Sequence, residues 1–314
     1  MTATANMELI ARIKALSQPL TPQPTGAEPV LGALPGIRAL LFDIYGTLMI
    51  SASGDIGLGG ERDEQRAFRA ALAAVGLEPS PAFGDLDGSQ RLKRSIEDFH
   101  AERRASGVAY PEVDIVRIWQ QTLARIPGLS AQDLGEPLLR RLALDYECRV
   151  NPVWPMPGLG ELLAALQGRG LALGVVSNAQ VYTPRMCQAF LGSSLESLGF
   201  QPRYCAWSYR LREAKPSTRL YREALAALER EAGIQPQEVL YLGNDMLKDI
   251  WPASRVGCRT VLFAGDARSL RLREGDERCA GVQPDRVITE LDQITACLTK
   301  VDGDDHRDPR KQDA

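Results

Sequence analysis

Leu40-Leu41-Phe42-Asp43-Ile44-Tyr45-Gly46-Thr47-Leu48 places one carboxylate where an apolar run breaks into a turn. The run from Ile37 to Phe42 reads as a strand covered on both faces, the pattern of a buried parallel sheet. Open sheets of that kind bind ligands beyond the carboxyl ends of their strands, so Asp43 stands where a nucleophile belongs. A lone aspartate at such a break also serves as a turn residue or a helix cap. Its meaning depends on what lies downstream.

Ile50 to Glu61 carries four glycines and two serines and reads as a flexible or hairpin-like excursion. From Asp63 to Cys148 apolar residues recur at helical spacing, with room for about four helices. Asn151 to Pro157, with three prolines, punctuates the chain. Helix and apolar strand then alternate: helices over Leu159 to Gln167 and Arg219 to Glu231, strands over Leu171 to Val176, Val239 to Leu242 and Arg259 to Phe263. That alternation predicts an α/β fold, a doubly wound parallel sheet with right-handed crossovers and a helical cap inserted after the first strand. The expected organisation is an N-terminal helix and linker (1–36), a core (37–60 and 151–300), the cap (61–150) and a polar, disordered tail (301–314).

Four short stretches place chemistry at strand ends. Asp43 and Thr47 are the first. Ser177-Asn178 follows a strand, where a hydroxyl and free backbone amides suit an anionic oxygen. Lys215 precedes Pro216, read as the first turn of a helix, and would neutralise negative charge near Asp43. Gly243-Asn244-Asp245-Met246-Leu247-Lys248-Asp249 supplies two carboxylates four residues apart; with Asp43 they offer oxygen ligands to Mg²⁺. Taken singly, Ser177 could cap a helix, Lys215 face solvent, and Asp245 and Asp249 favour a helix dipole. All four behind strand ends or at helix starts make a site.

The D-x-Y-G-T-L string behind an apolar strand resembles the first motif of the haloacid dehalogenase-like hydrolase superfamily, and the resemblance runs from Ile37 to Leu298. It implies a Rossmann-like core with a cap, and hydrolysis of a small anionic substrate through a covalent ester on Asp43. It further implies that Thr47 and Ser177 hold substrate or order the site, that Lys215 balances charge, that Tyr45, Asn178 and Tyr221 contact substrate, and that Asp43, Asp245 and Asp249 bind Mg²⁺. In the family's phosphatases the string is D-x-D-G-T, and the second aspartate protonates the leaving alcohol; tyrosine, with a pKa of about 10, is a poor substitute. The L-2-haloacid dehalogenases carry D-x-Y-G-T and need no metal, because a halide leaves without a proton. Lys215-Pro216 with Tyr221 resembles their K-P-x-x-x-x-Y, although Ser217 stands where aspartate is common. Asp245 and Asp249 resemble the phosphatase pattern instead, and three close carboxylates call for a cation. The expectation is a Mg²⁺-dependent phosphohydrolase, with a metal-free dehalogenase as the alternative and a non-catalytic binding protein as the third reading. Phosphonate cleavage would need a Schiff base on Lys93, which reads better as a solvated helix residue.

The rest of the composition excludes more than it specifies. The chain has 314 residues, 44% hydrophobic, with a net charge of −3, so it offers no basic field for nucleic acid or an anionic membrane. No membrane span or secretion signal is legible, and the cytoplasm is the expected location. Two histidines give little support to a histidine triad or zinc site, and six scattered cysteines read as reduced thiols. Arg66, Arg69, Arg91, Arg94, Arg103 and Arg104 are the cap's candidate anion contacts, and Arg268 to Arg273 is a further candidate that reads first as a surface helix. No pattern fixes an oligomeric state.

Overall fold

The computed structural model describes residues 3–52, 61–77, 88–126 and 134–299; the tail and most of the glycine-rich excursion lie outside them. The chain opens with α1 (Ala3–Leu16) and reaches β1 (Ala39–Phe42), whose residues are all buried. β2 (Met49–Ser51) leaves the core and pairs antiparallel with the returning β3 (Val153–Pro155). Between these two strands lie α2 (Glu61–Ala74), α3 (Gly88–Ala105), α4 (Ile115–Leu123) and α5 (Glu136–Val150). The chain then runs through α6 (Leu159–Gln167), β4 (Ala172–Ser177), α7 (Thr183–Leu191), β5 (Phe200–Trp207) and the short α8 (Ser208–Leu211). It finishes with α9 (Arg219–Ala232), β6 (Val239–Gly243), α10 (Trp251–Arg255), β7 (Arg259–Phe263) and β8 (Arg286–Ile288).

Six strands form a parallel sheet in the order β5-β4-β1-β6-β7-β8. β1 is central, with Ala39 opposite Ala172 of β4 on one side and Val239 of β6 on the other. The chain fills one half of the sheet and then the other, so the strand order reverses at β1 and opens a crevice above its carboxyl end. Asp43, Ser177 and Gly243 all fall at that end.

The strands predicted from apolar runs are β1, β4, β6 and β7; β5 and β8 escape that pattern. β5 reads Phe-Gln-Pro-Arg-Tyr-Cys-Ala-Trp and keeps Pro202 and Arg203 exposed, which an edge strand tolerates. β8 is the opposite edge and only three residues long. Pro216 also departs from expectation: it follows a cis peptide bond in a turn, and α9 starts only at Arg219.

Both sheet faces are covered. Phe42 meets Phe200 edge-on at 5.8 Å on one face, while Leu41 packs with Tyr221, Leu228 and Tyr241 on the other. The inserted helices have their own core, in which Phe68 stacks on Trp119 at 5.1 Å with Tyr146 edge-on to both. Tyr45 packs against this cluster and against the sheet cluster, at the seam between them.

α1 lies across α5 and α7. Leu9 and Ile13 are buried there, and Arg12 forms an ion pair with the buried Asp145 at 2.5 Å. Ile13→Ala is expected to destabilise the protein by about 2–4 kcal/mol, the usual range for a fully buried aliphatic side chain, as measured by urea unfolding. The stretch after α1 runs along the β7–β8 side of the core: Gln23 donates its amide to Asp266, Thr25 its hydroxyl to the Ala264 carbonyl, and Val30 pairs with Val287.

Candidate active site

Asp43 extends β1 by one hydrogen bond, its amide donating to the Leu242 carbonyl at 2.9 Å, and the chain then turns sharply. Gly46 makes that turn with φ of +81°, and a Cβ there would lie 2.6 Å from Ser269 Cβ and 2.7 Å from Asn244 Nδ2. Gly46→Ala is expected to cost about 1–3 kcal/mol of stability from backbone strain alone, with activity falling as the turn shifts. Chemical unfolding and turnover measured on one preparation check both. Thr47, fully buried, donates to Asn244 Oδ1 at 3.0 Å, and Asn244 Nδ2 donates to the Ser269 carbonyl at 2.6 Å. The first and fourth motifs are thereby tied together below the site.

Lys215 holds the centre. Its Nζ lies 2.8 Å from Asp43 Oδ1 and 2.6 Å from Asp249 Oδ1, and all three side chains are nearly sealed from solvent. Burial alone would lower the lysine pKa, but Asp249 and Asp43 outweigh it and raise it, so the ammonium is secure. The lysine is placed from outside its own turn, because Asn178 Oδ1 accepts the Lys215 amide at 2.7 Å. Ser177 is buried, and its hydroxyl donates to the Asn178 carbonyl at 3.3 Å.

The fourth motif is a single π turn, Met246–Ile250, with both carboxylates engaged. Asp249 Oδ2 accepts the amides of Asn244 and Asp245 at 3.0 Å each, while Oδ1 receives Lys215 and lies 2.8 Å from the Tyr241 hydroxyl. Burial raises Asp249 to about 6, with Lys215 opposing and Asp43 and Asp245 adding to the rise. Asp245 caps the turn, accepting the Leu247 and Lys248 amides, and takes a forked guanidinium from Arg273 with its shortest contact at 2.6 Å. Burial works to raise Asp245, but Arg273 prevails and holds it below the usual carboxylate range.

These contacts decide how the carboxylates stand toward a divalent cation. Asp245 faces a guanidinium, Asp249 is filled by an ammonium and two amides, and the Asn244 amide oxygen is taken by Thr47. Among the described residues no three acid, histidine or cysteine side chains converge on a metal position. As arranged, Asp43, Asp245 and Asp249 do not fit the Mg²⁺ set expected of them. Asp245 is instead held by the Arg273 guanidinium.

A cavity of about 500 Å³ is lined by Asp43, Tyr45, Asn178, Lys215, Asp245 and Asp249 from the sequence-predicted set. Tyr45 is turned to its wall: its hydroxyl lies 2.9 Å from Thr183 Oγ1 and donates weakly to Met186 Sδ. Burial, with Glu147 nearby, pushes its pKa well above the ordinary value, so it is no proton donor or base at neutral pH. Tyr221 does not line the cavity: its hydroxyl donates to the Lys248 carbonyl at 2.8 Å, supporting the turn that carries Asp249. None of the six cap arginines lines it either, and Lys93 is paired with Glu64 at 2.6 Å.

Other lining residues were ranked low or missed by sequence reasoning. Arg271 and Arg273 come from a loop, not the surface helix expected, and that loop is pinned to the fourth motif by Arg271 N to Asn244 O and Met246 N to Arg271 O. The helical insertion contributes His100, Glu112 and Glu147. Glu112 arrives on a segment paired with the residues before Lys215, its amide donating to the Arg212 carbonyl and Ala214 N to Tyr110 O.

A sequence model of the haloacid dehalogenase-like hydrolases matches residues 37–257. The chain belongs to the haloacid dehalogenase-like hydrolases. Phosphoglycolate phosphatase of Xylella fastidiosa is 30% identical over 246 residues, 77% of this chain and 86% of that protein. N-acetylmuramic acid 6-phosphate phosphatase of Pseudomonas aeruginosa is 29% identical over 191 residues, 56% of this chain and 78% of that one. A crystal structure of 2-haloacid dehalogenase from Pseudomonas syringae shares the fold of this hydrolase, with a TM-score of 0.54 at 18% identity over 82% of this chain and 96% of its own. No described helix is long and apolar enough to cross a membrane.

Proposed function

We propose that this hydrolase cleaves small phosphate monoesters through an aspartyl phosphate on Asp43, with side-chain cations in place of a resident metal. The observation that carries the proposal is the charge of the cavity floor. Among the described residues Lys215, Lys248, Arg271 and Arg273 line the cavity beside Asp43, Asp245 and Asp249, so four side-chain cations stand near the place where an anion would meet the nucleophile. The phosphatase relatives agree with that chemistry. Asp43 would attack phosphorus, the bond to the leaving oxygen would break, and that oxygen would take up a proton. Water would then open the aspartyl phosphate at phosphorus and restore the carboxylate.

With Tyr45 unable to give a proton, good leaving groups are expected to react fastest. p-Nitrophenyl phosphate should therefore release phosphate, and EDTA should leave the rate unchanged. Loss of turnover in EDTA, restored by Mg²⁺, would sink the metal-free reading.

Displacement of halide from a 2-haloacid is the second reading, and the Tyr45 hydroxyl on Thr183 favours it, because a halide needs no proton. Halide release from 2-chloropropionate without any phosphatase activity would select it. Oxygen-18 water separates the two routes independently: hydrolysis at phosphorus labels phosphate, whereas opening of an alkyl ester at its carbonyl labels Asp43.

A further inference from the structure

The cavity is bipolar. Its floor is cationic, whereas the helical insertion contributes two carboxyls, Glu112 and Glu147, neither of which forms an ion pair among the described residues. Glu147 is buried, with Oε1 accepting from Asn151 Nδ2 at 3.0 Å and Oε2 from the Tyr182 hydroxyl at 2.8 Å. Glu112 is partly buried and accepts from Ser208 Oγ at 2.7 Å, Gln180 Nε2 at 3.1 Å and the Val113 amide at 2.9 Å. The nearest guanidinium, Arg212, is committed to Asp114 at 2.7 Å. His100 Nε2 is buried and has no hydrogen-bond partner.

Among the described residues the side chains and amide that hydrogen-bond to these two carboxyls are neutral donors. Burial raises Glu147, and it pushes Glu112 up to about 7 against its hydrogen bonds and the charge of Arg212, so both gain from a partner that favours the ionised form. A ligand bringing hydrogen-bond donors would satisfy the remaining lone pairs, whereas a second carboxylate there would either face like charge or have to keep one of these carboxyls protonated, and both cost binding in a poorly solvated space. The cavity, at about 500 Å³, leaves room beyond a phosphate for such a group.

We propose that the substrate's organic part carries hydroxyl or ammonium donors accepted by Glu112 and Glu147, and that substrates ending in a carboxylate are refused. This rests on the phosphohydrolase reading and separates the chain from the substrate that its relative's name specifies, since phosphoglycolate ends in a carboxylate. Sequence pattern gave no hint of it. The two glutamates lie far apart in the chain, and Glu112 comes to the same cavity as Glu147 on the segment before α4, which folds back onto the residues preceding Lys215.

Three small phosphates test it: ethanolamine phosphate, glycerol phosphate and phosphoglycolate, compared by kcat/KM for phosphate release and by the Tm shift each produces. Either of the first two should exceed phosphoglycolate by at least about tenfold, the worth of one charged hydrogen bond gained or lost. Ethanolamine phosphate ahead of glycerol phosphate identifies an ammonium, and the reverse order a hydroxyl. Glu112→Gln and Glu147→Gln should each narrow the ratio to phosphoglycolate. Phosphoglycolate equal or ahead overturns the proposal and leaves the phosphohydrolase reading standing. Should no phosphate be released, that reading fails and the Tm shifts decide: stabilisation by a donor-bearing ligand over phosphoglycolate supports the inference, and any other order, or no shift at all, overturns it.

Discussion

Asp43→Asn is expected to lower turnover by about 10⁴-fold or more while leaving the protein folded. The amide keeps the shape of the carboxylate but cannot form the covalent ester, and neither carboxylate of the fourth motif is free to replace it. Asp249 is bound by Lys215 and two amides, and Asp245 by Arg273. The fold should tolerate the change because Lys215 retains Asp249 at 2.6 Å and the backbone amide of residue 43 still bonds to Leu242. Steady-state turnover with p-nitrophenyl phosphate, alongside the unfolding midpoint, checks both halves. A folded Asp43→Asn variant with full activity would exclude nucleophilic attack by this side chain, in the phosphatase and dehalogenase readings alike.

Much of this centre was legible because its residues end apolar runs. Asp43, Ser177 and Gly243 were placed by β1, β4 and β6, whose uninterrupted hydrophobicity marks strands buried on both faces. What the runs could not convey was where the side chains turn. Asp245 and Asp249 have the spacing of metal ligands, but the direction of each carboxylate is set by Arg273, by Lys215 and by the amides of a π turn, which no local pattern specifies. Arg273 itself sits in a loop at φ 55°, in a stretch whose alternating arginines imitate a helix face. Tyr221 was placed in the site by its spacing from Lys215, yet it lies behind the turn, because α9 packs its buried stripe on the sheet. The cap posed the opposite difficulty. Its many arginines drew attention, while the residues that enter the cavity, Glu112 and Glu147, are acids on segments that look like ordinary solvated helix and loop.

Lys215→Met is expected to remove activity and also to destabilise the protein by about 3–5 kcal/mol at pH 7. The substitution deletes the ammonium between Asp43 and Asp249, which lie 2.8 and 2.6 Å from it and are themselves buried. Methionine fills much of the space, so the loss is electrostatic. Two facing carboxylates without a cation cannot both stay ionised, so in the folded variant the pair holds a proton to higher pH than in the parent, where burial already raises Asp249 to about 6 from an unfolded value of about 3.9. The folded variant then binds more protons than its unfolded chain across that window, so its stability falls as pH rises from the unfolded value through the raised folded one. The gap between variant and parent should therefore be smaller at pH 5 than at pH 7. Urea unfolding at the two pH values measures it. Equal stability of variant and parent at pH 7 would mean that the hydroxyl of Tyr241 and the amides of Asn244 and Asp245 hold Asp249 unaided, and that Lys215 serves the substrate alone.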